Sequence, residues 1–254
     1  MVRLIIWGTL TPVVLSGGTL PARAAEAYQV ATISSLLAGG YDGDTTVDEM
    51  LRHGDFGLGT FNGVDGEMMV LDGRVYRATP DSRAHLVERS ERTPFAVVVD
   101  FHAEGSMPVA AGQSLEQLQV TLDGLPFSDS RILAVRIDGQ FQSIQVRSEP
   151  KQMPPYRPLA EVIKERQVVH TLAKVDGTLV GFRFPAATSS VNVTGWHFHF
   201  LTSDKAWGGH VFALTTGAGR ALVQEISDLR IRLPAQAPAT SASAEAIKAV
   251  EQQC

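Results

Sequence analysis

Three of the seven histidines crowd into one stretch, GWHFHFLTSDKAWGGH at residues 195–210. His197 and His199 are two positions apart, and His210 follows a polar segment ending in two glycines. In a β-strand, residues i and i+2 face the same side. His197 and His199 therefore share one face, while Trp196, Phe198 and Phe200 turn the other way into packing. The segment TSDKAWGG can return the chain and bring His210 up on the neighbouring strand. Three imidazoles then converge on one point and leave a fourth position open. Neutral imidazoles so arranged suit Zn²⁺, and an open position is what a catalytic zinc site keeps and a structural one lacks. Spacing alone does not separate Zn²⁺ from another divalent metal such as Fe²⁺, Mn²⁺ or Ni²⁺.

The bland alternative is a set of histidines on a polar sheet face. It fits a lone histidine better than an HxH pair on an otherwise apolar strand with a third member close behind. Metal barrels of the cupin type also carry HxH, usually with a glutamate three or four residues on, where Ser203 and Asp204 stand here. The remaining histidines are weaker candidates. His53 falls at a helix end, where a cation suits the dipole, and His85 and His170 lie in polar surroundings. His102 and Glu104 share a strand face in FHAE, a pattern more typical of a solvated edge.

The elements that must carry these residues follow from pattern. With 254 residues and 44% hydrophobic content, the chain can bury a substantial core in one large domain or two small ones. A net charge of -5 implies no basic surface for nucleic acid. Residues 1–24 combine Arg3, an apolar run and Ala22-Arg23-Ala24, the layout of a secretory signal peptide cut after Ala24. Pro12, Ser16 and two glycines interrupt the run, so a stable membrane anchor is not expected, and the mature protein is expected to be periplasmic or extracellular. The one cysteine, Cys254, allows no intrachain disulfide.

Residues 28–38 read as a short helix stopped by Gly39-Gly40. Thr46 and Glu49 form a capping-box pattern for a second helix, ended by Gly54, and Ser114 and Gln117 do the same for a third. Asp72-Gly73 and Asp138-Gly139 each signal a two-residue hairpin. PFAVVV reads as a buried strand. The proline-dense segment 149–158 marks a crossing between halves, and Pro158 suits the first turn of a fourth helix. Beyond it the chain is nearly all strand, which suggests a small barrel or sandwich. The expected fold is α/β of the α+β kind. The crossing divides the chain beyond residue 24 into a half over 25–150 and a half over 151–254. The last twenty residues read as an Ala/Pro/Ser linker followed by a short helix.

Longer motifs then carry a resemblance. YQVATISSLLAGGYDGDTTVDEMLRHGDFGLGTFNGVDGEMMVLDG, VRSEPKQ and GWHFHFLTSDKAWGGHV together resemble the acetolactate decarboxylase family, over nearly all of the chain beyond residue 24. The resemblance implies two α/β domains, a mixed sheet with helices in residues 25–150 and a small barrel-like sheet carrying the metal in residues 151–254, and conversion of 2-acetolactate to acetoin and CO₂. It also implies zinc held by His197, His199 and His210. By the same resemblance Glu67 in DGEMM is an active-site glutamate, Arg147 in VRSEP the active-site arginine, and Thr60 in GTFN a substrate-pocket threonine. Glu251 in AIKAVEQQC matches a second glutamate from the C-terminal tail.

That chemistry is self-consistent. Loss of CO₂ from a β-keto acid leaves an electron pair that the ketone must accept as an enediolate. A dication stabilises the developing charge, Arg147 holds the carboxylate by a two-pronged contact, and Glu67 or Glu251 delivers the proton. The competing classes are a cupin-like metal enzyme acting on oxygen and an exported metal-binding module without catalysis. A storage module needs only the ligands, not the acids and the arginine. No nucleic-acid partner is implied, and a homodimer stays open.

Overall fold

The computed structural model describes residues 25–236 and Ala242. In chain order the elements are β1 (Glu26–Val30), α1 (Ile33–Leu37), β2 (Thr45–Thr46), α2 (Val47–Leu51), β3 (Phe56–Thr60), β4 (Glu67–Leu71), β5 (Arg74–Ala78), β6 (Ala84–Leu86), β7 (Arg92–Thr93), β8 (Phe95–Val99) and β9 (Gly105–Val109). There follow α3 (Leu115–Asp123), β10 (Ile132–Ser148), α4 (Leu159–Arg166), β11 (Val168–Phe184), β12 (Gly195–Thr202), β13 (Gly208–Ile226) and β14 (Asp228–Arg232).

Local chemistry accounts for the helix starts. Thr46 and Ser114 each accept from the backbone N–H three residues on, while Glu49 and Gln117 reach back to the cap N–H. Two otherwise orphaned donors are satisfied at each start. Pro158 sits at the N-cap of α4. The first helix is shorter than its apolar pattern suggests. Residues 26–30 are β1, and Thr32 caps α1 only afterwards. The apolar residues of β1 are claimed by sheet pairing with β8 and β14, which an isolated segment does not reveal.

Seven strands form one sheet in the order β14-β1-β8-β3-β4-β5-β6, antiparallel except for β1 with β14. All five residues of β8 are buried, because the sheet is covered on both faces. Ala96 and Val98 pack with Met50 of α2 on one side. Val97 and Val99 pack on the other, with Met69, Phe182 and Leu201, in the core between the two sheets.

The second sheet runs β10-β11-β12-β13-β9, with a further pairing of β10 to β13. It is not closed as the small barrel expected from the strand pattern. One side of β13 is taken by β10 from His210 to Ile226. On its other side β12 pairs at only three positions, and β9 takes over at 219–223. Sheet membership also crosses the proline-rich segment. β14 joins the first sheet from beyond it, and β9 and β10 join the second from before it.

The two Asp-Gly dipeptides have different fates. Asp72 and Gly73 take φ of 52° and 71° and turn β4 into β5, as a two-residue hairpin requires. Asp138-Gly139 makes no turn and lies inside the 17-residue strand β10. Gly139 faces Gly177 on one side and Gly219 on the other. A Cβ there would come within 2.6 Å of the Gly219 Cα, so this glycine serves close backbone approach.

Candidate active site

The site forms where β12 and the start of β13 meet the end of β3 and the start of β4 in the other sheet. His197 and His199 project from one face of β12, and His199 is the direct cross-strand partner of His210 on β13. Trp196 and Phe198 turn away and stack on each other, with Phe198 and Phe200 in the core of the second sheet. The alternation expected from HFHF therefore holds. The three rings lie 4.8–5.4 Å apart by centroid, and one ligand nitrogen of each lies within 4.8 Å of the others. These histidines are the group that can hold a metal ion among the described residues.

Hydrogen bonding sets the rings for that task. His199 Nδ1 lies 2.8 Å from the Met68 carbonyl, which fixes that nitrogen as the donor and turns Nε2 into the cluster. A carbonyl orienting the far nitrogen in this way is the usual support of a metal-binding imidazole. His197 Nε2 and His210 Nδ1 are 3.0 Å apart. Buried His197 Nδ1 and His199 Nε2 have no hydrogen-bond partner among the described residues. Orphaned buried nitrogens on converging imidazoles fit a cation better than they fit a packed core.

The charge state agrees. Burial, then the Arg147 guanidinium, pushes the His197 pKa down to about 3. Burial and neighbouring positive charge hold His199 and His210 well below the ordinary histidine range. All three are thus neutral at pH 7, the form that binds a metal.

Glu67 opens β4 and is buried, with Oε2 3.3 Å from His199 Nε2. Arg147, near the end of β10, stands directly opposite His210 in the strand register. It is 3% exposed and donates from Nη1 to Gln167 Oε1 at 3.5 Å. Glu67, Arg147 and the three histidines line one cavity, whose apolar wall includes Ile33 and Leu37 of α1 and Leu159 and Ile163 of α4. Thr60 is buried but does not line it. Its hydroxyl donates to the Gly66 carbonyl at 2.7 Å and ties the loop that delivers Glu67, its strand partner. Glu251 lies outside the described residues.

The other histidines stay apart from this cavity. His102 pairs with exposed Asp100 at 3.2 Å. His53 stacks on Tyr28, and burial, then the Arg230 charge, lowers its pKa, so the cation expected at that helix end is disfavoured.

The comparisons with known proteins decide the family. A profile of the alpha-acetolactate decarboxylase family matches residues 27–243. The chain belongs to the alpha-acetolactate decarboxylase family. A relative from Klebsiella aerogenes, named alpha-acetolactate decarboxylase, is 40% identical over 208 residues, covering 82% of this chain and 80% of its own length. One of the same name from Methanosarcina mazei is 42% identical over 209 residues, covering 82% and 72%. The crystal structure of alpha-acetolactate decarboxylase from Bacillus subtilis strain 168 superposes with a TM-score of 0.85 at 34% identity, over 89% of this chain and 99% of that one. The family's shared architecture therefore includes both sheets described above.

Sequence reading missed one buried cavity residue of evident chemistry, Glu149, which is 2% exposed. Its signal was present in VRSEP, because Arg147 and Glu149 are two apart at a strand end and face the same way. The apolar wall from α1 and α4 had no such signal, since it assembles from distant segments.

Proposed function

We propose that this chain decarboxylates 2-acetolactate to acetoin and CO₂, with His197, His199 and His210 holding a divalent ion, Zn²⁺ by donor type. The observation that carries the reading is the convergence of three neutral imidazoles, Glu67 and Arg147 on one cavity in a member of this family. When bound, such an ion supplies Lewis-acid polarisation of substrate oxygens.

The chain's own groups do the rest. Arg147 receives the substrate carboxylate, and its buried setting strengthens that contact. The wall of Ile33, Leu37, Leu159 and Ile163 accepts the two methyl groups and keeps bulk water from the reacting carbons. As the C–C bond to the carboxylate breaks, its electron pair moves toward the ketone and CO₂ departs. Glu67 then gives a proton to the resulting enediolate on the face it occupies, and is reprotonated from solvent before the next turnover. Thr60 acts through the loop it ties, by setting where Glu67 stands. Glu251 supplies the second acid. Support for this comes from Ala242, whose N–H donates to the Ser34 carbonyl on α1 at 3.2 Å, which places that one residue against a helix that lines the cavity.

We also propose export, with residues 1–24 removed as a signal peptide. β1 begins at Glu26, so a cut after Ala24 leaves it whole. N-terminal sequencing of the exported protein should read from Ala25, and Met1 retained on a cytoplasmic protein overturns this. For the activity, purified and metal-analysed protein is given racemic 2-acetolactate. Acetoin release that falls with metal removal and returns with Zn²⁺ is expected. Absence of acetoin from fully loaded protein defeats the assignment.

A further inference from the structure

Glu149 follows β10 by one residue and lines the cavity beside the histidines and Glu67. Its Oε1 lies 3.8 Å from Arg147 Nε, and each side chain is 3% exposed. That oxygen has no hydrogen-bond partner among the described residues. The distance is too long for a hydrogen bond, so the contact is one of charge alone. Removing a carboxylate from water is costly, and attraction offsets this only in a well hydrogen-bonded pair. Stability therefore does not account for a second acid here. Tyr41 does not supply the missing donor, since its hydroxyl donates to the Arg157 carbonyl at 2.8 Å. Arg147 is the cationic side chain on this cavity wall, and Gln167 accepts from its Nη1.

We propose that Glu149 is a positioning residue for Arg147. Its buried charge draws the Nε edge of the guanidinium to one wall while Gln167 accepts from Nη1, and both contribute to the plane in which Arg147 meets a carboxylate. This rests on the reading above only in that Arg147 receives an anionic substrate group.

Two competing accounts give different results. If Glu149 is simply a negative charge in the cavity, its removal should tighten anion binding. If it is only part of the fold, its removal should weaken every ligand alike. The experiment uses zinc-loaded, full-length protein and two ligands measured without turnover: 2-hydroxy-2-methylpropanoate, which carries the carboxylate, and acetoin, which does not. In Glu149→Gln, affinity for the carboxylate should fall about tenfold, the scale of one charge-assisted contact, while acetoin binding stays within about twofold. In turnover KM should rise more than kcat falls, and Glu149→Asp should recover part of the loss. Equal losses for both ligands, no loss, or tighter anion binding each overturn the proposal. If Glu149→Gln does not fold, Glu149→Asp carries the same comparison, with a smaller carboxylate-selective loss expected. Wild-type protein that makes no acetoin defeats the assigned reaction, and the two binding measurements still judge the Glu149–Arg147 pair.

Discussion

His199 and His210 are direct partners across β12 and β13, and the His199 ring reaches the opposite sheet at the Met68 carbonyl, 2.8 Å away. One imidazole thus belongs both to the cluster and to the seam between the sheets. His199→Ala should lose most of the bound metal, read by elemental analysis. It should also lower the stability of metal-free protein by about 1–3 kcal/mol, because a buried carbonyl loses its donor. Full retention of metal would place the ligands elsewhere.

The depressed histidine pKa values make the metal-free protein acid-sensitive. In the unfolded chain these imidazoles take up protons near pH 6.5, whereas folded His197 stays neutral down to about pH 3 and the other two resist protonation as well. The unfolded state therefore binds more protons below pH 6.5. Stability contributed by these groups is present above that pH and falls as the pH drops toward 3, by up to about 1.4 kcal/mol per pH unit for each histidine. Urea unfolding of metal-free protein at pH 7, 6 and 5 should show the slope, and His197→Gln should flatten part of it. Identical stability at pH 7 and 5 would contradict burial of neutral rings.

Glu67→Gln keeps the shape of a side chain 3.3 Å from His199 and removes its titratable proton. Zinc content should be unchanged, and decarboxylation should fall by roughly 10²–10⁴-fold, the usual scale of general acid–base help. Near wild-type turnover would move the proton donor to Glu251 or to water.

Removal of residues 245–254 tests the tail while keeping the Ala242 contact to Ser34. The truncated protein should retain its fold and metal, because the three histidines remain, and should form acetoin much more slowly. Glu251→Gln should reproduce much of that loss. Unchanged kcat and KM after truncation would leave Glu67 and Arg147 to provide the acid chemistry and carboxylate binding by themselves.

The features legible in the sequence are those whose cause is local. A capping box is decided within four residues, so Thr46 with Glu49 and Ser114 with Gln117 marked their helices correctly. Strand parity is decided by backbone geometry, so HFHF already placed His197 and His199 on one face with the aromatic residues opposite. The tertiary structure decided whatever depends on a neighbour distant in the chain. Asp72-Gly73 and Asp138-Gly139 carry the same turn signal, yet only the first turns. The second is held extended between Gly177 and Gly219, which leave room for two backbones to close in. The apolar residues of 26–30 became a strand because β8 and β14 offered backbone partners. The strand run did not close into a barrel, and β12 and β9 share one side of β13. Thr60, whose family motif suggested a pocket residue, spends its hydroxyl on Gly66, and Glu149 entered the cavity because β10 ends beside its wall. Periodicity and capping are short-range properties of a chain, whereas pairing partners, close backbone approach and the walls of a cavity exist only once distant segments have met.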